Sequence, residues 1–145
     1  MLTISSDLLK QMHAYLEAGY PNEACGILIG KDATGGSRVV RDLVRVANAW
    51  QVTSERETLH NRFLIAPDDY VRADREAGER GLDVIGFFHS HPDCPSRPSE
   101  TDRAFAMPYT AFVIVRVDNG HATTTNSWVL RDDRTAFDEE EVKLE

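Results

Sequence analysis

The apolar run at residues 84–92 constrains this chain more than any other stretch, because it ends in two histidines separated by one residue. Residues i and i+2 of a β-strand point to the same face of a sheet, so His89 and His91 would project together from a strand end. Imidazole and carboxylate groups are common zinc ligands, and Asp102 can return as a third ligand once the proline-rich loop at residues 92–98 has turned. Three protein ligands would leave one coordination position open, as in catalytic zinc sites.

Each part of this pattern also has a purely structural interpretation. Two histidines at a strand end can act as hydrogen-bonding groups without a metal. Ser99 and Asp102 form the Ser-x-x-acid pattern of a capping box, which begins a helix by pairing side chains with free backbone N–H groups. Capping and metal binding are compatible, because a helix start holds both residues in a fixed relation and can present the aspartate to a metal.

A hydrolytic metal site also needs a base, because a water that attacks a carbonyl group must give up a proton. Glu23 is the candidate, since it immediately precedes an apolar run at residues 24–30, where an unpaired carboxylate would be costly. The alternative role of Glu23 is to brace the turn that follows the first predicted helix.

Composition sets limits on the partners and the compartment of this protein. With 24 acidic and 16 basic residues, the formal net charge is −8, which repels polyphosphate and argues against nucleic acid as a partner. The sequence has no apolar run that could span a membrane and no basic leader, so we expect a cytoplasmic protein without a membrane partner. Cys25 and Cys94 form no CxxC pair, and both are expected to be reduced. A length of 145 residues predicts one domain, residues 1–145.

Helices and strands alternate along the chain, which predicts a mixed sheet with helices on its faces. The first predicted helix is capped by Ser5 or Ser6 and is stopped by Gly19 and Pro21. The other predicted helices cover residues 67–81 and 99–107, and the predicted inward side of the helix at 67–81 consists of Tyr70, Val71, Ala73 and Ala77. The predicted strands cover residues 24–30, 38–47 with a bulge near Asp42, 61–66, 84–92, 110–118 and 122–130. Asn119-Gly120 predicts a type I′ turn, and residues 48–58 predict a loop. In the last segment, residues 135–144, the acidic triplet Glu139-Glu140-Glu141 predicts a solvated edge or tail.

In chain order, the motif residues read Glu23-x-x-Gly26, then His89-Ser90-His91-Pro92, and then Ser99-x-x-Asp102. This pattern closely resembles the JAMM motif of the MPN (Mov34/JAB) metalloprotease family of the compact bacterial type, and every motif position is matched. The resemblance implies an α/β fold of the cytidine-deaminase-like kind, a three-layer α-β-α sandwich with a curved mixed sheet. It also implies that Gly26 allows a close approach of backbone beside the site. Ser90 would point to the opposite face of its strand and have a supporting role.

The resemblance also implies a role for each polar residue of the motif. His89, His91 and Asp102 would bind one Zn²⁺ per chain, with water as the fourth ligand. Glu23 would accept the proton of that water and pass it to the leaving amine. Ser99 would donate a hydrogen bond to the tetrahedral oxyanion, as such groups do in other hydrolases.

Relatives with this motif cleave bonds at the C-terminus of ubiquitin or ubiquitin-like proteins, and compact bacterial relatives act on ubiquitin-like sulphur carriers after a Gly-Gly terminus. Only about eight residues separate Asp102 from the next predicted strand, so the long insertion of dedicated deubiquitinases has no room here. The resemblance therefore implies a peptidase or isopeptidase that acts on a ubiquitin-like sulphur carrier. We expect the loop at residues 48–58 to hold the extended tail of that substrate, by strand addition.

Two other classes of function are alternatives for a chain with this motif. A non-catalytic MPN scaffold is the alternative, but such domains have usually lost metal ligands, and here all are present. A zinc deaminase needs a His-x-Glu pair and a Pro-Cys-x-x-Cys signature, and this chain has neither.

Overall fold

A computed structural model describes all 145 residues, which form eight strands, three α-helices and a short 3₁₀ turn at Thr34–Gly36. The strands are β1 (Leu2–Ile4), β2 (Cys25–Asp32), β3 (Arg38–Val46), β4 (Asp83–Pro92), β5 (Ala111–Asp118), β6 (His121–Leu130), β7 (Phe137–Glu140) and β8 (Val142–Leu144). The helices are α1 (Ser6–Gly19), α2 (Pro67–Glu79) and α3 (Glu100–Phe105). None of these helices has the length and apolar character that a membrane crossing requires.

All eight strands belong to one mixed sheet in the order β7-β6-β5-β4-β2-β3-β1-β8. Strand β4 lies in the middle, antiparallel to β2 and parallel to β5. Because β2 and β5 pair with the two edges of β4, hydrogen bonds hold the backbone that carries the two histidines on each side. His89 lies opposite Cys25 of β2 and Ile114 of β5.

The sheet curves until its two edge strands are consecutive in the chain. Strand β7 pairs with β6 at one edge and β8 pairs with β1 at the other, yet only Glu141 separates β7 from β8. The carbonyl oxygen of Glu141 also accepts a hydrogen bond of 2.8 Å from the backbone N–H of Leu2. The result is a curved, nearly closed sheet, as the motif resemblance implied.

The helices pack on both faces of the sheet, because successive strand residues point to opposite sides. Helix α1 packs its buried Met12 and Leu16 on one face, in the core that contains Phe88. Helix α2 packs Ala73 and Ala77 on the other face, in a second core that contains Phe87. This arrangement confirms the predicted three-layer α-β-α sandwich.

Local signals in the sequence account for several of these boundaries. The hydroxyl oxygen of Ser5 caps α1 by accepting a hydrogen bond of 3.1 Å from Leu8 N–H. Asn119 and Gly120 have φ angles of 49° and 87°, which is the left-handed backbone of the predicted type I′ turn. The predicted bulge in β3 is also confirmed, because the pairing with β2 skips Arg41, next to Asp42.

The prediction of a strand at residues 61–66 is wrong. This segment has no regular secondary structure, although it is extended and partly buried. Two hydrogen bonds of Leu64 hold the middle of the segment in place, one from Ala49 N–H to Leu64 O (2.8 Å) and one from Leu64 N–H to Asn48 Oδ1 (3.1 Å). Its apolar residues are buried by side-chain packing, without a neighbouring strand. Burial of this kind gives the same sequence pattern as a strand.

The prediction that Val71 faces inward is also wrong. Val71 is 60% exposed, whereas Ala73 and Ala77 are buried and Tyr70 is partly buried. Adjacent helix residues point about 100° apart, so a helix that buries Tyr70 turns Val71 away from the sheet.

Candidate metal centre and active site

Three side chains converge at the carboxyl end of β4. Nε2 of His89 lies 3.2 Å from Nε2 of His91 and 3.4 Å from Oδ1 of Asp102, and His91 Nε2 lies 3.2 Å from Asp102 Oδ2. All three residues are buried, with exposed fractions of 0% for His89, 7% for His91 and 6% for Asp102. The structure therefore brings together the three residues that the sequence selects as ligands.

The start of α3 delivers the aspartate to this point. Ser99 is the N-cap, and its Oγ accepts a hydrogen bond from Asp102 N–H (3.0 Å), while Ser99 N–H donates to Asp102 Oδ2 (2.9 Å). This is the complete capping box that the sequence predicts. The same carboxylate oxygen that caps the helix faces His91, so capping and convergence on the histidines occur together.

The loop after β4 orients the second histidine. Nδ1 of His91 lies 2.8 Å from the carbonyl oxygen of Pro95, so Nδ1 carries the proton and donates to that oxygen. Nε2 is then left with a lone pair directed toward His89 and Asp102. Such a hydrogen bond on the outer nitrogen is the usual way in which a metal-binding histidine is oriented.

The geometry and chemistry of this group fit a divalent cation. Zinc bonds of 2.0–2.1 Å in a tetrahedral site place ligand atoms about 3.3 Å apart, close to the three separations seen here. Two imidazoles and one carboxylate are also a donor set that zinc accepts. His89 Nδ1 is buried without a hydrogen-bond partner, and its ring stacks on Phe63 at 4.3 Å, so the ring has a fixed orientation.

Burial and mutual charge shift the pKa values of the three converging residues in different directions. Burial lowers the pKa of His89, although Asp102 partly opposes this shift. Burial would raise the pKa of Asp102, but the charges and hydrogen bonds of the two histidines outweigh it and hold that pKa well below its usual range. In His91, burial is likewise outweighed by the hydrogen bond and charge of Asp102, which raise its pKa. Asp102 is consequently ionised.

Glu23 lies beside the same group at the entrance to β2. One of its carboxylate oxygens is within 4.8 Å of a ring nitrogen of both His89 and His91, and the residue is 7% exposed. Burial raises its pKa to about 8, with a further contribution from Asp102 that is opposed by His91 and Arg62. A carboxyl group with a pKa near neutrality can both accept and return a proton, so Glu23 can act as a base or as a ligand.

Two further residues of the motif, Ser90 and Gly26, face the opposite side of the sheet. Ser90 Oγ accepts a hydrogen bond of 2.9 Å from Ala24 N–H, and Ser90 N–H donates to Ala24 O, so Ser90 fixes the segment next to Glu23. Gly26 allows a close approach, as expected, but its partners are the Phe88 ring and the Val44 carbonyl oxygen. Its absent side chain leaves room for core packing and does not open the metal centre.

Two pockets flank the metal centre, and Glu23, Asn61 and Arg62 line both. The apolar pocket, of about 220 Å³, also contains Phe63, Leu64, Ile65, Tyr70, Phe87, Thr101, Asp102, Phe105, Ala106, Met107 and Phe112. The polar pocket, of about 340 Å³, also contains His60, His91, Pro92, Cys94, Pro95, Arg97 and Ser99.

Sequence patterns did not identify several of the residues that line these pockets. No residue of the predicted 48–58 loop lines either pocket, and the adjoining residues 60–65 line them instead. These residues carry no spacing motif, and only their position after a polar loop could have indicated a cleft. Cys94, in the polar pocket, and the buried Cys25 are both free thiols.

Comparisons with known proteins agree with this geometry. The profile of a family described as prokaryotic homologs of the JAB domain matches residues 5–131. The CysO-cysteine peptidase of Mycobacterium tuberculosis is 31% identical over 134 residues, which are 91% of this chain and 84% of that protein. The desampylase of Pyrococcus furiosus is 34% identical over 82 residues, 55% of this chain. The tail tip assembly protein K of Escherichia phage N15 is 33% identical over 91 residues, 63% of this chain.

The length of these matches differs among the relatives. The matched part spans 49% of the Pyrococcus desampylase and 30% of the phage protein, less than half of each.

Solved structures show the same fold. A protein from Salinibacter ruber superposes with a TM-score of 0.75 at 38% identity, covering 99% of this chain and 91% of that one. A JAB1/MPN domain protein from Archaeoglobus fulgidus superposes with a TM-score of 0.59 at 22% identity, covering 98% of this chain and 97% of that one. The profile match and the relatives agree with the motif and the fold, and the chain therefore belongs to the family of prokaryotic homologs of the JAB domain.

Proposed function

We propose that this protein is a JAMM-type zinc metallopeptidase that hydrolyses a peptide or isopeptide bond at the C-terminal Gly-Gly of a ubiquitin-like protein. The observation that carries the proposal is the convergence of His89, His91 and Asp102 beside the buried carboxyl group of Glu23. The names of two relatives, CysO-cysteine peptidase and desampylase, support a hydrolytic reaction on such a protein.

His89, His91 and Asp102 would hold the zinc ion in this proposal. A bound zinc ion would supply an electrophile for the carbonyl group and a water molecule of lowered pKa. The residues that hold it are oriented in advance, by Pro95 for His91 and by the capping box for Asp102.

Glu23 and Ser99 would handle the proton and the developing negative charge. The water oxygen bonds to the acyl carbon, and Glu23 takes the released proton. When the C–N bond breaks, its electron pair stays on nitrogen, and Glu23 returns the proton there. The second proton of the water stays with the new carboxylic acid, so the products are a carboxylic acid and an amine. The Ser99 hydroxyl accepts a bond from Asp102 N–H, so its own proton is free to be donated to the oxyanion.

A small ubiquitin-like sulphur carrier suits the cleft better than a polyubiquitin chain. Helix α3 ends at Phe105 and β5 begins at Ala111, so only five residues connect them and no insertion extends over the site. Residues 1–145 would then act as one catalytic domain.

Metal content measured together with turnover tests this function. Elemental analysis of the wild-type protein should find about one zinc per chain, and the protein should cleave a sulphur carrier extended beyond Gly-Gly. His89→Ala should lose both the zinc and the turnover. His121→Ala, which removes an exposed histidine of the β5–β6 hairpin, is the matched control and should retain both. A wild-type protein that binds no metal after zinc is supplied would favour a non-catalytic scaffold.

A further inference from the structure

We propose that the polar pocket beside the metal centre binds the free α-carboxylate of the leaving residue, with Arg97 and Arg62 as its donors. This inference rests on the proposed function and narrows its substrate class. The protein would act on carriers that end in one amino acid beyond the scissile bond, and it would discriminate against longer or amidated extensions.

The lining of the pocket supports an anionic ligand. Of its ten residues only one is hydrophobic, and they include the basic residues Arg62 and Arg97 together with His60. His60 Nδ1 lies 2.5 Å from the Pro21 carbonyl oxygen and donates to it, which leaves its Nε2 without a protein partner. Glu23, at the inner end of the pocket, is its single acidic residue. Guanidinium groups bind carboxylates through two parallel hydrogen bonds.

Arg97 is free to make such a bond. In this chain of net charge −8, arginines such as Arg38, Arg80 and Arg131 lie within 3.5 Å of carboxylate oxygens. Arg97 has neither an ion pair nor a hydrogen bond, although acidic residues outnumber basic ones by half. An unpaired guanidinium that lines a pocket next to the reacting centre is available to a substrate.

Hydrogen bonds hold the backbone on both sides of Arg97, so the Cα position of Arg97 is well defined. Ser96 is buried and bonds to Thr124 and Asn126, and its carbonyl oxygen accepts a bond of 3.0 Å from Trp128 Nε1–H. On the other side, Ser99 is the N-cap of α3. Arg97 is therefore held at a constant place relative to Ser99 and Asp102, while its side chain stays exposed.

Arg62 contributes a second donor at the junction of the two pockets. Its Nη1 donates to the Asn61 carbonyl oxygen (2.8 Å), and its Nη2 lies 3.7 Å from Glu57 Oε1. Its Nε–H is buried and has no acceptor. An unsatisfied buried donor is unfavourable, so an oxygen atom of a bound substrate would complete its hydrogen bonding.

The two pockets together set the direction of the substrate. A peptide has one α-carboxylate, at its C-terminus, so a pocket that binds this group must lie on the leaving side of the scissile bond. The apolar pocket, with Phe63, Leu64 and Met107, is then left for the acyl side, where the first side chains precede the two glycines. Each further leaving residue would move the carboxylate by about 3.5 Å away from the position between Arg97 and Arg62.

Matched substrates test this inference. One carrier ends in Gly-Gly-Ala with a free carboxylate, a second has the same sequence with a C-terminal amide, and a third has two alanines. For the wild-type protein we expect kcat/KM for the free acid to exceed that for either other substrate by tenfold or more. Arg97→Met should bring the ratio of acid to amide close to one. Arg75→Met, which removes an exposed arginine of α2, should leave the ratio unchanged.

The outcomes separate this inference from the proposed function. Equal cleavage of acid and amide by the wild-type protein, or an equal loss of both in Arg97→Met, would overturn the carboxylate pocket and leave the peptidase intact. If no carrier is cleaved, the proposed peptidase function is refuted, and a binding measurement with a small carboxylate then tests the proposed carboxylate site. L-alanine, but not L-alaninamide, should shift the Arg97 Nε–H resonance in NMR spectra of the wild-type protein, and the absence of that shift would refute the pocket.

Discussion

At the scale of single residues, Glu23 is the carboxyl group of the proposed reaction whose pKa is raised. The fold stabilises its neutral form, because burial raises its pKa to about 8 from an ordinary value of 4.5. In the metal-free protein this contribution to stability is fully present below pH 4.5. It is lost as the pH rises through 8, because the unfolded chain then releases a proton that the folded chain retains.

Glu23→Gln should therefore change how the stability of the metal-free protein depends on pH. Glutamine does not titrate, so the variant should gain free energy of unfolding relative to the wild type between pH 4.5 and 8, by about 1–4 kcal/mol. Urea unfolding with a chelator at pH 5 and at pH 8.5 measures this gain. Glu79→Gln, which changes an exposed residue of α2, is the control. A difference between variant and wild type that is constant with pH would contradict the burial of an ionisable group.

Ser99 offers a test of the two roles of one hydroxyl group. Ser99→Ala should lower kcat by about 10²- to 10³-fold, because a donor to the oxyanion is lost. It should also cost about 1 kcal/mol of stability, because α3 loses its cap. Ser99→Thr keeps the hydroxyl and should retain most of both properties. Zinc analysis and single-turnover kinetics make the measurement, and a wild-type kcat in Ser99→Ala would exclude the catalytic role.

At the scale of secondary-structure elements, the packing of β2 against β4 depends on one absent side chain. A Cβ atom at Gly26 would collide with the Phe88 ring and lie 2.6 Å from the Val44 carbonyl oxygen. Gly26→Ala should therefore destabilise the protein by about 3 kcal/mol or more, since neither neighbour can move freely.

Gly78 provides the matched substitution. A Cβ atom there would meet no heavy atom within 4 Å, and the residue lies in α2. Gly78→Ala should raise the stability by about 0.5–1 kcal/mol, because alanine favours a helix over glycine. Chemical denaturation of both variants makes the comparison, and similar effects of the two would show that the contact at Gly26 is not tight.

Asn48 holds the segment that lines both pockets. Its Nδ2–H₂ group donates to the carbonyl oxygens of Glu23 (3.0 Å) and Arg62 (2.9 Å), and its Oδ1 accepts from Trp50 and Leu64. Asn48→Ala should speed amide hydrogen exchange in residues 50–64 and raise KM more than it lowers kcat. Asn22→Ala, at a nearby exposed position, is the control, and unchanged exchange in Asn48→Ala would show that the segment is held elsewhere.

The sequence predicted the elements whose pattern is local and strong. The histidine strand, α1 with its serine cap and the Asn-Gly hairpin follow from period, capping and turn chemistry. Strands β1 and β8 were not predicted, because three residues are too few to show an alternation, and the partners of these strands lie far away in the chain. Residues 137–140, of which the last three are acidic, form an edge strand, which agrees with a solvated edge.

The polar residues of the candidate metal centre could be predicted from the sequence, but the residues that line the two pockets beside it could not. Glu23, His89, His91, Ser99 and Asp102 stand at fixed motif spacings, and the fold brings them to one place. Arg62 and Phe63 reach the same place through the path of an irregular segment. That path is set by tertiary contacts such as those of Asn48, which no local pattern encodes.

At the scale of the whole molecule, the segment of β7 and β8 connects the two edges of the sheet. It pairs with β6 and with β1, and Arg38 of β3 also lies 3.9 Å from Glu140. Removal of residues 137–145 would expose both edges at once, and unpaired edges promote association between chains.

We expect the protein without residues 137–145 to be less stable and to self-associate. Chromatography with light scattering and thermal unfolding measure the two effects. Arg41→Gln, which removes only an exposed pair with Glu145 at 3.6 Å, should change neither by much. A truncated protein that stays monomeric and equally stable would show that the sheet does not need this closure.

The alternation of side chains along β4 has an evolutionary consequence. Phe87, His89 and His91 point to the α2 face, where the pockets lie, whereas Phe88 and Ser90 point to the α1 face. Substitutions in α1 can therefore adapt the protein to a warmer or colder habitat without altering which substrate it accepts. Substitutions around the pockets can change the substrate while the larger core stays intact, so natural selection can act on durability and on specificity separately.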